Sequence, residues 1–467
     1  MLVLPLAICW FSAVGLAILD GRRPTVAWTA VGALTAAFAS IIVLATDVIS
    51  GQPQQVVAGG WLPGVGIVLR ADALGILFAI VSLGVLLAAL LFETLGGVRS
   101  RSFPSLVMFL ATGLTGLFLT GDAFNFYVFF EISMIASYVL TAYGEERRQL
   151  RAAAIFAVVN LLGSVLFLIA IAALYHITGR LDLFGIGARI TEVPSRTVVL
   201  SAALVFVAFS VKLGLFPFHF WLAAVYTGTR PAVAAILSGA VANIGAYGLL
   251  RFGAELLPRE LGFSSPALLV IGSASILYGG LQALSRNTLP EVLAYSSIGQ
   301  AGYILLALGI GEQVGYSAAV LFAIVNSLNK GLLFLSENLR GWLVGAAFAV
   351  GGFSVAGVPP AAGFVSKAAL FRAGIAEGSV LLIILIFLGG ALSFIYMLRS
   401  YQRRFWVPEA PPDGQPAAHG SSPLRVRAIV VALALLVIAL GVWPEPLLAL
   451  SRDAAAVLPP VSVESAR

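Results

Sequence analysis

Fourteen apolar runs, each long enough to cross a bilayer, occupy most of this 467-residue sequence. They fall at about 2–19, 25–46, 73–92, 103–121, 124–143, 152–175, 198–222, 231–250, 264–285, 292–311, 315–336, 341–371, 379–398 and 426–450. A hydrocarbon core about 30 Å thick is crossed by about 20 apolar helical residues. Inside it every backbone N–H and C=O has to bond within the protein, so a spanning chain is either helical or a closed barrel. Uninterrupted runs of this length select helices. The expected fold is therefore an all-α membrane protein with about 14 transmembrane helices. Charged residues make up 10% of the chain, and mean hydropathy is +1.02, whereas soluble domains carry about 25% charge. The net charge of +6 comes from arginines scattered between the runs, not from the basic stripe of a nucleic-acid binder. Cys9, the one cysteine, lies in the first run, which excludes a disulfide framework and a Cys-based metal site. The N-terminal MLVLPLAICWF has no basic leader and no small-residue cleavage site, and reads as a retained first span.

Two runs are interrupted. In VVLSAALVFVAFSVKLGLFPFHFWL (198–222), Lys212 lies well inside the apolar stretch and Pro217 follows five residues later. Proline removes an interior helix bond and clashes with the preceding turn, so the helix is expected to break near Leu215–Pro217. A cation at mid-membrane costs roughly 2.5–3.5 kcal/mol on insertion scales. The long run 341–371 contains AGVPPAAGF and reads as a second broken span, with Lys367 beyond the break. Paired, Pro/Gly-interrupted helices in two halves point to an internally repeated transporter.

The chain has three lysines, Lys212, Lys330 and Lys367, and all lie within apolar runs. Arginine remains charged at any working pH, whereas a buried lysine can release its proton. One acid, Glu131, sits in the middle of FNFYVFFEISMIASYVL; the others lie in loops or near span ends. Each charge has an alternative reading. Lys330 snorkels to the interface, Lys212 forms a structural ion pair with Glu131, or Lys367 caps the carbonyls of the VPPAAG break. Against these stands a relay of four ionisable groups, since intramembrane charges are functional candidates. His219, two residues past Pro217, is either a relay group or an interfacial histidine. His176 and His419 read as loop residues. The sequence has no phosphate loop, no nucleophile elbow and no His/Cys metal spacing. Nothing in it calls for a cofactor.

The loops after the odd-numbered spans hold fifteen arginines, and the opposite side holds nine, Arg70 and Arg251 among them. Positive-inside asymmetry makes the odd loops cytoplasmic and puts both termini outside. Residues 51–71 suggest a small external hairpin, and the Pro/Gly/Ala-rich 407–424 a flexible cytoplasmic linker.

The segments GDAFNFYVFFEISMIASYVL, SVKLGLFPFHFWL, TRPAVAAILSGAVANIGAYGLLR, LAYSSIGQAGYILLALGI, LNKGLLFL and GVPPAAGFVSKAALF carry a resemblance. The chain resembles the antiporter-like subunits of respiratory complex I, membrane-bound hydrogenases and Mrp multisubunit cation/proton antiporters. With WLPGVGIVLRADALGILF before and within the third span, it is most similar to the D-type subunits of the Mrp antiporters. The resemblance implies fourteen helices with two inverted five-helix repeats, each with a broken helix. It divides the chain into an N-terminal segment 1–102, repeats 103–253 and 264–398, a linker 399–425 and a C-terminal helix and tail 426–467. It assigns a proton relay to Glu131, Lys212, Lys330 and Lys367. It implies a secondary transporter rather than an enzyme, in a bacterial inner membrane, with protons and Na+ or K+ as cargo and other membrane subunits as partners. Three departures follow. Asn243 stands where many relatives have Lys or His in the eighth span. Thr288-Leu289-Pro290-Glu291 replaces Asp-Leu-Lys-Arg, and Asn326 replaces a His four residues before the eleventh-span lysine. Asparagine can hold water or a hydrogen bond but carries no titrating proton. A proton pump of a redox complex and a non-conducting scaffold remain the other readings.

Overall fold

The structure is a computed structural model that describes residues 1–50, 53–60, 66–193, 195–406 and 423–459. Helices α1 (Leu4–Ile18) and α2 (Pro24–Ser50) precede an antiparallel hairpin of β1 (Gln54–Val57) and β2 (Val68–Ala71). The register pairs Gln54 with Ala71 and Val57 with Val68. Continuous helices α3 (Ala73–Gly96), α4 (Phe103–Phe118), α5 (Ala123–Thr141) and α6 (Arg147–Thr178) follow. A short α7 (Leu183–Ile190) leads to α8 (Ser195–Leu213) and, across a break, to α9 (Leu222–Gly228). Then come α10 (Pro231–Leu256), short α11 (Pro258–Phe263), α12 (Ser265–Ser285), α13 (Leu289–Ile310) and α14 (Glu312–Leu335). α15 (Trp342–Ala356) and α16 (Ala362–Ala376) flank the second break. α17 (Val380–Trp406), α18 (Leu424–Val442) and α19 (Glu445–Ala456) complete the described helices. Among the described residues ten helices are long and apolar enough to cross a membrane, and α1, α4, α8 and α15 are shorter apolar ones.

Helix ends follow local chemistry. Asp72 and Asp122 begin α3 and α5 by accepting the N–H of Gly75 (2.9 Å) and of Asn125 (2.7 Å), caps worth about 1 kcal/mol each. Glu146 and Gln149 form a reciprocal capping box at the start of α6. The two breaks share one construction. Gly214 (φ 73°) ends α8 and Gly357 (φ 83°) ends α15 in the left-handed region, where a side chain is strained. The next residue then folds its N–H back onto the helix, Leu215 to Ser210 O (3.1 Å) and Val358 to Phe353 O (2.9 Å). This closure satisfies an orphan carbonyl, and Pro217 or Pro359–Pro360 prevents the helix from resuming. Thr288-Leu289-Pro290-Glu291 proves to be a helix start, with Thr288 Oγ1 donating to Glu291 Oε2 at 2.7 Å.

α10 and α14 stand in the interior, while α6 turns Val158, Leu161 and Leu162 outward. α10 contains two π-helical stretches, Leu237–Val241 and Leu249–Leu256, a geometry frequent at functional sites. α12 and α13 meet backbone to backbone. A Cβ on Gly279 would lie 2.4 Å from Gly299 N, and one on Gly302 2.6 Å from Gly272 O. Small residues permit such approach where no water-driven force holds helices together.

Several sequence expectations change. Arg251, counted as a loop residue, lies inside α10 and is buried, because two carboxylates neutralise it. His176 lies in the last turn of α6 rather than in a loop. The helix of the 379–398 run continues to Trp406. Most of the expected linker (407–422), with His419, lies outside the described residues, as do residues 61–65 and 460–467.

Candidate functional site

Lys212 occupies the last turn of α8, just before the break, and is 3% exposed. Its Nζ lies 2.8 Å from Met134 Sδ of α5 and 3.5 Å from Asn160 Oδ1 of α6, over the Phe156 ring at 5.0 Å. Glu131 of α5 is half-buried and accepts a hydrogen bond from Ser164 of α6. Asn160 and Ser164 are four residues apart and share one helix face. The acid and the lysine therefore address adjacent turns of α6, without a direct ion pair in this structure. The expected Glu131–Lys212 pair is replaced here by two neutral partners.

Asn243 of α10 follows the first π-helical stretch. Its Nδ2 donates to Ser82 Oγ of α3 (3.0 Å), and its Oδ1 accepts from Ser327 Oγ of α14 (2.7 Å). Ser327 lies one turn before Lys330 on α14. Among the described residues no direct hydrogen bond links Lys212 to Asn243. Lys330 is fully buried, and its Nζ donates to Leu293 O (3.1 Å) and Ser296 Oγ (2.9 Å). That inward contact removes the snorkelling reading. Ser296 Oγ and Tyr396 Oη are 2.9 Å apart, and Tyr396 Oη donates to Ser393 Oγ at 3.1 Å.

Lys367 of α16 is 4% exposed and donates to Ala356 O, the end of α15, at 2.9 Å. The cation thus meets the negative end of a half-helix. It lies 5.1 Å over the Tyr303 ring. With Gln300, Asn326, Asn329, Ser354 and Ser366 it lines one tight space, flanked on the apolar side by Phe322 and Val325. Asn326 is therefore brought to Lys367. His219 is half-buried among Phe216 and Tyr278, its ring centroid 4.5 Å from that of Tyr278, and among the described residues no hydrogen bond joins it to a lysine.

Sequence reasoning missed the hydroxyl partners Ser164, Ser296 and Tyr396, which no spacing rule singles out in apolar helices. It also missed a closed ring of ion pairs. Arg70 Nε meets Asp72 Oδ2 (3.0 Å), Arg251 Nη2 meets Asp72 Oδ1 (2.7 Å), Arg251 Nη1 meets Glu255, and Arg70 Nη1 meets Glu255 Oε1 (2.7 Å). Tyr247 Oη accepts from Arg251 Nε (3.0 Å) and donates to Phe118 O (3.1 Å). The ring pins the hairpin to α3 and α10.

Hydroxyls accept and donate at once, so Ser296 and Tyr396 can pass a proton without ending charged, whereas Asn243 can only orient a neighbour.

The family model for the membrane region of NADH:quinone oxidoreductase and Mrp antiporter subunits matches residues 120–341. The D-type subunit of the Na+/H+ antiporter of Alkalihalophilus pseudofirmus is 30% identical over 452 residues, which cover 91% of this chain and 90% of the relative. A chain of the Mrp complex from a Dietzia species superposes with a TM-score of 0.90 at 26% identity, over 98% of this chain and 97% of that one. A chain of the membrane-bound sulfane sulfur reductase, an archaeal respiratory membrane complex, does so with a TM-score of 0.88 at 26% identity, covering 99% and 98%. A break-and-lysine architecture in an apolar helical chain, with identity of this extent along nearly its whole length, places the chain in the family of D-type subunits of Mrp Na+/H+ antiporters, related to the membrane subunits of complex I.

Proposed function

We propose that this chain conducts protons through Glu131, Lys212, Lys330 and Lys367, as one subunit of a multisubunit complex that exchanges Na+ or K+ for protons. The observation that carries the reading is how the lysines are partnered. Lys212, Lys330 and Lys367 are buried, and their hydrogen-bond partners are a thioether, carboxamide, hydroxyl or carbonyl, with the Glu131 carboxylate acting on Lys212 only through space. The same chain neutralises a structural buried cation fully at Arg251. A buried charge without a counter-ion is expensive, and a neutral amine is not. Lysines in such surroundings are suited to lose and regain protons.

In this reading the ten long and four shorter apolar helices form fourteen crossings, with repeats at 103–253 and 264–398. The complex sits in a bacterial inner membrane with both termini of this chain outside. Labelling of cysteines placed near each end with an impermeant thiol reagent reports the side, and labelling from the cytoplasm alone refutes it. The relay is tested by Lys330→Arg, because arginine keeps its charge. We expect normal assembly and at least a tenfold loss of ΔpH-dependent cation exchange in vesicles bearing the complex. Exchange at the parent rate would make Lys330 a fixed charge. The likeness to a chain of a respiratory complex favours, as a second reading, a proton pump driven by redox partners; the neighbouring genes decide between them.

A further inference from the structure

The space at the second break holds more oxygen than Lys367 uses. Asn326 and Asn329 stand one turn apart on α14, and the Oδ1 atoms of both are buried without a hydrogen-bond partner. Ser366 gives its proton to Gly363 O at 3.0 Å, which leaves its lone pairs unused by that bond. Asn329 and Ser366 are 3% and 2% exposed, and both line the same narrow space as Lys367. Orphaned buried acceptors call for a partner, a water molecule or an ion. Neutral carboxamide and hydroxyl oxygens suit a hard cation. The C-terminal end of α15 adds the negative end of a helix dipole, the arrangement that holds alkali cations at broken membrane helices.

We propose that Asn326, Asn329 and Ser366 form a Na+ site whose occupancy alternates with protonation of Lys367. The inference rests on reading Lys367 as a proton-exchanging residue. The ligand set carries no negative charge, so it tolerates one cation at a time. In one state that cation is the Lys367 ammonium on Ala356 O. In the other the ammonium has given its proton to a water molecule, the amine is neutral, and Na+ sits on the carboxamide oxygens. The charge in the cleft is +1 in both states, and one proton leaves for each Na+ that enters.

Few other titratable groups face Lys367. Tyr303 of α13 lies under its Nζ, and Tyr396 of α17 and Lys330 of α14 lie towards the hydroxyl chain. α15 has no titratable residue, and α18 carries its arginines at the end opposite Gly441, which packs on Pro360 and Ala361. On α16 itself, Arg372 is exposed.

The test is equilibrium binding of radioactive Na+ to the purified, assembled complex between pH 6.5 and 8.5. Asn329→Ala should weaken one site at least tenfold. Asn329→Asp, which adds a charged oxygen, should tighten it at least tenfold at high pH, an outcome that a merely structural role does not give. Ser366→Ala should weaken it in a complex whose fold depends less on that side chain. Lys367→Met should retain Na+ binding and lose its dependence on pH. Parent-like binding in both Asn329 variants and in Ser366→Ala overturns the site. Failure of the relay reads differently: ΔpH-driven exchange would persist in Lys367→Met, whatever the Asn329 variants bind.

Discussion

Replacing Arg251 with methionine should cost about 3–5 kcal/mol of stability. The guanidinium holds Asp72 Oδ1 at 2.7 Å, pairs with Glu255 and donates to Tyr247 Oη at 3.0 Å, while Arg251 is 2% exposed. Methionine fills much of the volume but leaves Arg70 alone between two carboxylates. Each lost charge-assisted hydrogen bond removes about 1.5–3 kcal/mol. Two of them match the range for breaking a buried pair from one side. The double variant Arg251→Met with Asp72→Asn should recover about half the loss, because Arg70 and Glu255 then remain a balanced pair. Arg251→Lys should fall between, since one ammonium cannot reach Asp72, Glu255 and Tyr247 together. Unfolding of the purified chain by SDS in mixed micelles measures each value. A single variant within about 0.5 kcal/mol of the parent, a difference typical of neutral surface changes, would refute the reasoning. So would a double variant no more stable than the single.

Two further changes separate stability from transport. Burial pushes the Glu337 carboxyl, in the turn after α14, up to about 7 against Arg404 and Arg148. The folded chain therefore keeps a proton that the unfolded chain releases near pH 4.5, and stability declines as pH rises from about 5 to 7. Glu337→Gln should flatten that decline in unfolding midpoints taken across this range; an unchanged slope counts against it. Tyr396→Phe removes the hydroxyl between Ser296 and Ser393 and should slow ΔpH-dependent exchange at least tenfold at equal expression, whereas an unaltered rate would take Tyr396 out of the path.

The breaks at Gly214 and Gly357 were legible in the sequence because they are local. A proline, a left-handed glycine and a helix terminus lie within a few residues of one another. The interior lysines were legible because the chain uses arginine everywhere else. The partners of those lysines were not. Serines and tyrosines are ordinary in apolar helices, and Ser296 and Tyr396, a hundred residues apart, are joined only by the packing of α13 on α17. Arg251 was misread for a related reason. In GLLRFGAELL it resembles a loop arginine, and the approach of Asp72, 179 positions away, joins Glu255 in making its burial tolerable. The missing Glu131–Lys212 contact reflects the same limit: charge and depth suggested a pair, whereas the face of α6 supplied each group with a neutral partner.

The glycine seam between α12 and α13 has a mechanical consequence. Helices held apart by side chains can slide as rotamers change, but two backbones in contact have nothing to re-pack. The pair is in effect one stiff beam. Ser275 of α12 receives the N–H of Phe216 at the first break, 3.0 Å away. On α13, Ser296 holds Lys330 and Gln300 borders the space beside Lys367. A displacement passed to Ser275 would therefore reach Ser296 and Gln300 as a tilt of the whole pair rather than as a slide of one helix along the other.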